Sequence, residues 1–186
     1  PKKGFYDGRW EKFCELLFEN LLTEMEVQVE GGAEAICLFD TAAGECTFED
    51  YTTHILPQIK RITKEFKKRR PDNKIIYYSK FTHLNYLYAI EDENIDVLGI
   101  DWRNDLAVAL NTLGKDYMIQ GNFDPAHLHL PWNLLEKKLE SFWGHLVKNN
   151  VPFDRWICGL GHGVLQHTPE ENVFKTVEYI HKNFNY

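Results

Sequence analysis

A histidine stands between glycines in Gly159-Leu160-Gly161-His162-Gly163-Val164, directly after the apolar run Trp156-Ile157-Cys158. The flanking glycines let the backbone turn sharply and leave the imidazole uncovered, so a group that titrates near neutrality ends a strand. Four other apolar runs end in polar clusters: Phe39-Asp40-Thr41-Ala42-Ala43-Gly44, Tyr78-Ser79-Lys80, Asp101-Trp102-Arg103 and Gln120-Gly121-Asn122-Phe123-Asp124-Pro125. Lys80 and Arg103 are the cations right at strand ends, which makes them candidate partners for a substrate carboxylate. Asp101 and Trp102 read as braces for their turn, and Gln120, Asn122 and Asp124 as side chains that stitch a loop to backbone groups. His127-Leu128-His129 lacks a third ligand at a fixed spacing and reads as surface at a helix entry rather than as a metal site. Neither GxGxxG nor GxxxxGK[ST] follows any strand, which removes the usual nucleotide cradles.

The elements that must position these clusters follow from periodicity. Apolar residues at helical spacing predict helices over 10–30, 48–69, 82–91, 106–113 and 134–149, with a last helix running to 183. Short apolar runs predict strands over 35–39, 75–78, 97–100, 117–120 and 156–158. Thr168 is expected to cap the last helix, with Pro169 at its first position and Glu170 and Glu171 in its first turn. The basic run from Lys64 to Arg70 suits a helix carboxyl end. Five strands alternating with helices give an α/β class, and in a parallel arrangement all five clusters emerge at one face, as in a TIM barrel or a doubly wound sheet.

With 186 residues, 44% of them hydrophobic, the chain can bury a core, and residues 1–186 are expected to form a single domain. The apolar runs are far shorter than a membrane span, and no signal segment opens the chain, so a soluble cytoplasmic protein with no membrane partner is expected. The net charge of −7 argues against nucleic acid as a partner. Cys14, Cys37, Cys46 and Cys158 show no CxxC spacing, which suits reduced thiols.

Four motifs in order, Leu38-Phe39-Asp40-Thr41-Ala42-Ala43-Gly44, Leu98-Gly99-Ile100-Asp101-Trp102, Ile119-Gln120-Gly121-Asn122-Phe123-Asp124-Pro125 and Gly159-Leu160-Gly161-His162-Gly163, resemble the uroporphyrinogen decarboxylase family. The resemblance continues through Thr168-Pro169-Glu170-Glu171-Asn172-Val173 and Tyr179-Ile180-His181. It implies a (β/α)8 barrel of which this chain covers roughly the last five βα units, with the amino-terminal half absent. It also implies a homodimer that removes four acetate carboxyls from uroporphyrinogen to give coproporphyrinogen, with neither cofactor nor metal. His162 takes the place of the family's active-site histidine, while Phe39 and Thr41 take those of a phenylalanine and a hydroxyl residue lining the porphyrinogen pocket. These residue types suit such a pocket, since hydroxyl and imidazole groups hydrogen-bond carboxylates and an aromatic ring packs a macrocycle. Loss of carbon dioxide at a pyrrole requires a protonated ring to accept the electrons and a group that stabilises that charge.

The family's polarising aspartate, its arginines and an active-site tyrosine are expected in the amino-terminal half. The 186 residues alone are therefore expected to be inactive, and to be stable only when that half, a second copy or another partner covers the open strand edges. Phe81-Thr82-His83 also stands where the family often has glycines. Two other readings compete. One is a related zinc-dependent methyltransferase acting on a corrinoid or thiol, whose His-x-Cys pair is missing from Tyr77-Tyr78-Ser79-Lys80. The other is a non-catalytic porphyrin-binding remnant.

Overall fold

The computed structural model of the protein describes residues 2–184. They fall into two compact units that part between Val97 and Leu98. Both have the α/β character expected from the alternating pattern.

The first unit opens on a 3-10 turn, Lys2–Phe5, and the long helix α1, Arg9–Glu30. Gly31 closes α1 by donating its N–H to Val27, and Gly32 follows at φ +100°, the left-handed exit that glycine supplies without strain. Strand β1 (Ala35–Asp40) then pairs in parallel with β2 (Lys74–Ser79), in a register that sets Asp40 beside Ser79. The helical stretch expected over 48–69 is broken into α2 (Phe48–Asp50), a π-helical turn (Tyr51–Ile55) and α3 (Leu56–Arg69). The cause is Pro57, which has no N–H to give the preceding turn, so the ladder widens there before resuming.

α1 and α3 pack together, burying Leu22, Met25, Ile62 and Phe66. Burial of each such side chain is worth about 1.5–3 kcal/mol. Along the rim of this contact Arg61 reaches Glu15, Arg69 reaches Glu19 and Glu26, and Arg70 reaches Glu30. Exposed pairs of this kind contribute little, so apolar burial holds the helices and the charges set their register.

The helix expected over 82–91 shortens to α4, Leu84–Tyr88. Thr82 is drawn into the turn after β2, its hydroxyl 2.7 Å from that of Ser79, while Glu91 at φ +36° has left helical geometry. Asp92 then ties down the descending loop by accepting from Thr63 at 2.6 Å and from the Asn94 backbone at 3.0 Å. At the entry to β3 (Val97–Gly99), the Asp96 N–H donates to Ile75.

In the second unit Ile100 donates to Gln120, and β4 (Met118–Phe123) pairs in parallel with β5 (Trp156–Leu160). β4 runs three residues beyond the expected end at Gln120, so Gly121, Asn122 and Phe123 belong to the strand rather than to the loop after it. Gly121 allows this. It sits at φ +128°, and a Cβ there would lie 2.7 Å from the Ile100 carbonyl oxygen, so only glycine lets the two backbones approach.

Helix α5 (Leu106–Leu113) is capped by Asp105, whose carboxylate accepts from the N–H groups of Ala107 and Val108 at 2.9 and 3.1 Å. After a 3-10 turn at Pro125–His129, helix α6 (Trp132–Lys148) joins Phe123, Leu128, Leu135 and Leu139 into a core. The last helix, α7, is Glu170–Asn183 and begins one residue later than expected, with Pro169 rather than Thr168 as its cap. The Thr168 hydroxyl instead donates to the Leu165 carbonyl at 2.7 Å and lies 3.1 Å from His129 Nε2.

Candidate active site

In the second unit the sequence around His162 is shaped by one close approach. Gly161 donates its N–H to the Phe123 carbonyl at 2.8 Å, continuing the β4–β5 pairing, and its backbone also lies close against the turn after β3. A Cβ on Gly161 would lie 2.5 Å from the Trp102 backbone nitrogen and 3.1 Å from the Asn122 oxygen. A Cβ on Gly159 or Gly163 would meet nothing within 4 Å. Of the three glycines, Gly161 alone is forced by space, and it sets the position of the next residue.

His162 is half-buried, with Nδ1 3.3 Å from the Gly163 carbonyl oxygen. Its ring meets the Trp102 ring edge-on at 6.2 Å, with the planes 89° apart. Over the same indole stands the Arg103 guanidinium, 4.5 Å from the ring centroid. Asp101, fully buried, holds Arg103 twice: one oxygen accepts from its backbone N–H and the other from Nη1, both at 2.9 Å. The Arg103 side chain is nevertheless 37% exposed, so the paired cation still faces solvent.

Buried Asn122 completes the frame, donating to the carbonyls of Asp101 and Asn104 at 2.9 and 2.7 Å. Asp124 caps the following turn by accepting from Ala126 at 2.9 Å. The loop-stitching expected of Asn122 and Asp124, and the bracing expected of Asp101, are what these side chains do.

In the first unit Phe39 is 70% exposed at the end of β1 and meets the Tyr78 ring at 6.0 Å. Thr41 is exposed on the turn that follows. Lys80 lies on the adjacent turn: its N–H donates to the Asp40 carbonyl at 3.0 Å, and its own carbonyl accepts from Gly44 at 3.1 Å. Any Cβ on Gly44 would run into Phe81, so this seam also requires glycine. The Lys80 ammonium stands 4.6 Å from the Phe81 ring. Phe39, Thr41 and Lys80 thus share two joined turns, while Arg103 and His162 share Trp102.

Between Phe39 and Thr41, the Asp40 side chain enters a network that the strand-end pattern does not announce. Its carboxylate accepts from the Tyr77 hydroxyl at 3.0 Å, and Tyr77 lies 3.2 Å from the Tyr51 hydroxyl at the start of the π-helical turn. Burial pushes the Asp40 carboxyl up, although hydrogen bonds from Tyr77 and the Ala42 and Ala43 backbone pull the other way. Burial likewise moves the Tyr51 phenol up to about 12 and that of Tyr77 well above its ordinary value. Alternation along β2 carried a usable signal, since it buries Tyr77, and a buried phenol needs a polar partner.

The two histidines of the 3-10 turn do not act as a pair. His129 contacts Thr168, whereas the His127 ring packs on Phe123 at 5.2 Å and its Nδ1 has no hydrogen-bond partner among the described residues. Burial lowers the basicity of His127. All four cysteines are free. One cavity of the second unit, of about 660 Å³, lies elsewhere, against β5 and α7, lined by Leu139, Cys158, Val173 and Ile180, with none of the candidate site residues among its walls, while a smaller one of about 440 Å³ is lined by Trp102, Asn122 and Asp124. Among the described residues no helix is long and apolar enough to cross a membrane.

The sequence model of the uroporphyrinogen decarboxylase family matches residues 5–183. Uroporphyrinogen decarboxylases from Staphylococcus aureus strains JH9 and Newman are each 33% identical to this chain over 175 residues, which is 94% of this chain and 49% of theirs. The chain therefore spans about half the length of the curated relatives it matches.

Proposed function

The chain belongs to the uroporphyrinogen decarboxylase family, and on that premise we propose that it forms part of the wall of a porphyrinogen pocket. In this reading residues 1–186 are the carboxy-terminal part of one (β/α)8 domain in a cytoplasmic, homodimeric carboxy-lyase. The whole protein converts uroporphyrinogen to coproporphyrinogen by removing four acetate carboxyls. Because the relatives are about twice as long, the 186 residues are proposed to hold a porphyrin without completing the reaction.

His162 is the proposed catalytic group, hydrogen-bonding a reacting acetate while a proton on the pyrrole ring prepares that ring to take the electrons left by carbon dioxide. Arg103 and Lys80 meet further carboxylates as cations, Thr41 adds a hydroxyl, and Phe39 packs the macrocycle. The observation that carries this reading is the pairing of a fixed guanidinium with an imidazole on one indole, on loops that fall within the family match.

Titration with uroporphyrin of the purified protein, in an oligomeric or partner-bound state whose far-UV circular dichroism shows it folded, followed by quenching of tryptophan fluorescence, tests the proposal. Saturable binding is expected, weakened about tenfold in His162→Ala, as befits loss of one charge-assisted hydrogen bond. No saturable binding by the unaltered chain would overturn it.

A further inference from the structure

Three observations meet at one residue. The Trp102 ring carries the Arg103 guanidinium at 4.5 Å and meets the His162 ring edge-on at 6.2 Å, while the Trp102 backbone nitrogen is the surface against which Gly161 is pressed. Behind it the turn is held rigidly, through Asp101 on Arg103 and through Asn122 on the Asp101 and Asn104 carbonyls.

We propose that Trp102 is a positioning residue that makes Arg103 and His162 act as one carboxylate-binding unit. This deepens the porphyrinogen reading and rests on it. Asp101 holds Arg103 at its backbone N–H and at Nη1 but leaves the rest of the long side chain to be set, and His162 sits on a turn flanked by glycine. Left to themselves, each would lose side-chain or backbone freedom separately on meeting a carboxylate. An indole touching both removes that freedom beforehand. The indole face under the guanidinium adds to the hold of Asp101 on Arg103, and the edge contact favours one orientation of the imidazole. The groups are then presented together, and binding to one is energetically coupled to the other. Trp102 needs no contact with the substrate to do this, and an aromatic ring of any size that fills the gap should preserve part of it.

A double-mutant cycle tests the inference, with uroporphyrin as the probe and Arg103→Ala, His162→Ala and the double variant made in three backgrounds. With Trp102 present, the effects of the two single changes should fail to multiply by about threefold or more, the size expected for residues acting through a shared neighbour. Trp102→Phe should keep part of this coupling, and Trp102→Leu should abolish it, so that the two effects simply multiply. Full coupling in Trp102→Leu, or none with Trp102 present, would overturn the proposal.

The second arm needs no ligand. In NMR spectra of the free protein, Arg103→Ala should shift the His162 ring resonances when Trp102 or Phe is present and leave them unmoved in Trp102→Leu. If the unaltered chain binds no uroporphyrin, the porphyrinogen reading fails while this arm still decides the positioning role. If binding occurs but His162 ignores Arg103 in every background, the positioning role fails alone.

Discussion

Two strand ends carry a buried or half-buried aspartate, and the two are used in different ways. At the end of β1, Asp40 is met by the phenol of Tyr77, itself joined to Tyr51, so the partner is neutral. Just after β3, Asp101 is met by a guanidinium. The neutral network lies behind the turn that exposes Phe39 and Thr41, and its phenols bring no cation to a ligand. The charged pair reaches the surface and presents a cation beside an imidazole. A strand-end aspartate is therefore a brace in both places, and its side-chain partner decides whether the brace itself brings a cation to the surface, as Asp101 does with Arg103, or leaves that to a neighbouring turn, as Asp40 does with Lys80.

The sharpest way to break this comparison is Asp101→Ala, which removes the acceptor of both the Arg103 backbone and its guanidinium. A loss of about 3 kcal/mol is expected in denaturant unfolding followed by tryptophan fluorescence. Trp102, Trp132, Trp143 and Trp156 all lie in the second unit, so this signal reports mainly on the unit concerned. Gly161→Ala forces a Cβ against the Trp102 backbone and should cost about 2 kcal/mol, with displacement of the His162 resonances. Tyr77→Phe leaves Asp40 and Tyr51 short of one hydrogen bond and should cost about 1.5 kcal/mol, read by thermal unfolding in far-UV circular dichroism. If Tyr77→Phe proves as costly as Asp101→Ala, the distinction between neutral and charged braces fails.

The finest test is the pH dependence of two carboxylates in the first unit. Burial raises Asp40 above its ordinary 3.8, so the fold favours its protonated form, and its contribution to stability is fullest at acid pH and falls as pH rises through the raised value. Asp50 behaves oppositely. Hydrogen bonds, first from Lys2 and then from Thr47, hold it at about 2, so its contribution is complete above 3.8 and is lost as pH falls through about 2. Asp40→Asn should therefore make stability fall less on raising pH above 4. Asp50→Asn should flatten the loss between pH 4 and 2. Denaturant unfolding of both variants across pH 2–7 measures the two slopes, and slopes of the same sign would contradict these environments.

Much of the positioning frame was legible in the residues. The apolar spacing of α1 and its glycine exit, the run of α5 and the five apolar strands all follow from periodicity and local turn chemistry. The interruption at Pro57 was hidden by the apolar pattern, which continues through the π-helical turn and so masks one missing N–H. The length of β4 was hidden because Gly121 and Asn122 look like a turn, and only the neighbouring Ile100 backbone explains why a glycine belongs inside the strand.

At the candidate site, His162, Phe39, Thr41, Lys80 and Arg103 stood out by residue type at strand ends or by family resemblance. Trp102 reads only as a brace in the sequence, because its contact with His162 and the press of Gly161 on its backbone come from about 60 positions away on the turn after β5. Asp40 was likewise visible as a residue, but its phenolic partners belong to β2 and the π-helical turn.

The central proposal, that the strand-end turns of each unit contact a porphyrinogen, is tested most directly by titrating uniformly 15N-labelled protein with uroporphyrin and mapping the amide and side-chain shifts. Saturable shifts concentrated at His162, Trp102 and Arg103 and at Phe39, Thr41 and Lys80 are predicted. Saturable shifts confined to other surfaces, or none at all, would contradict it.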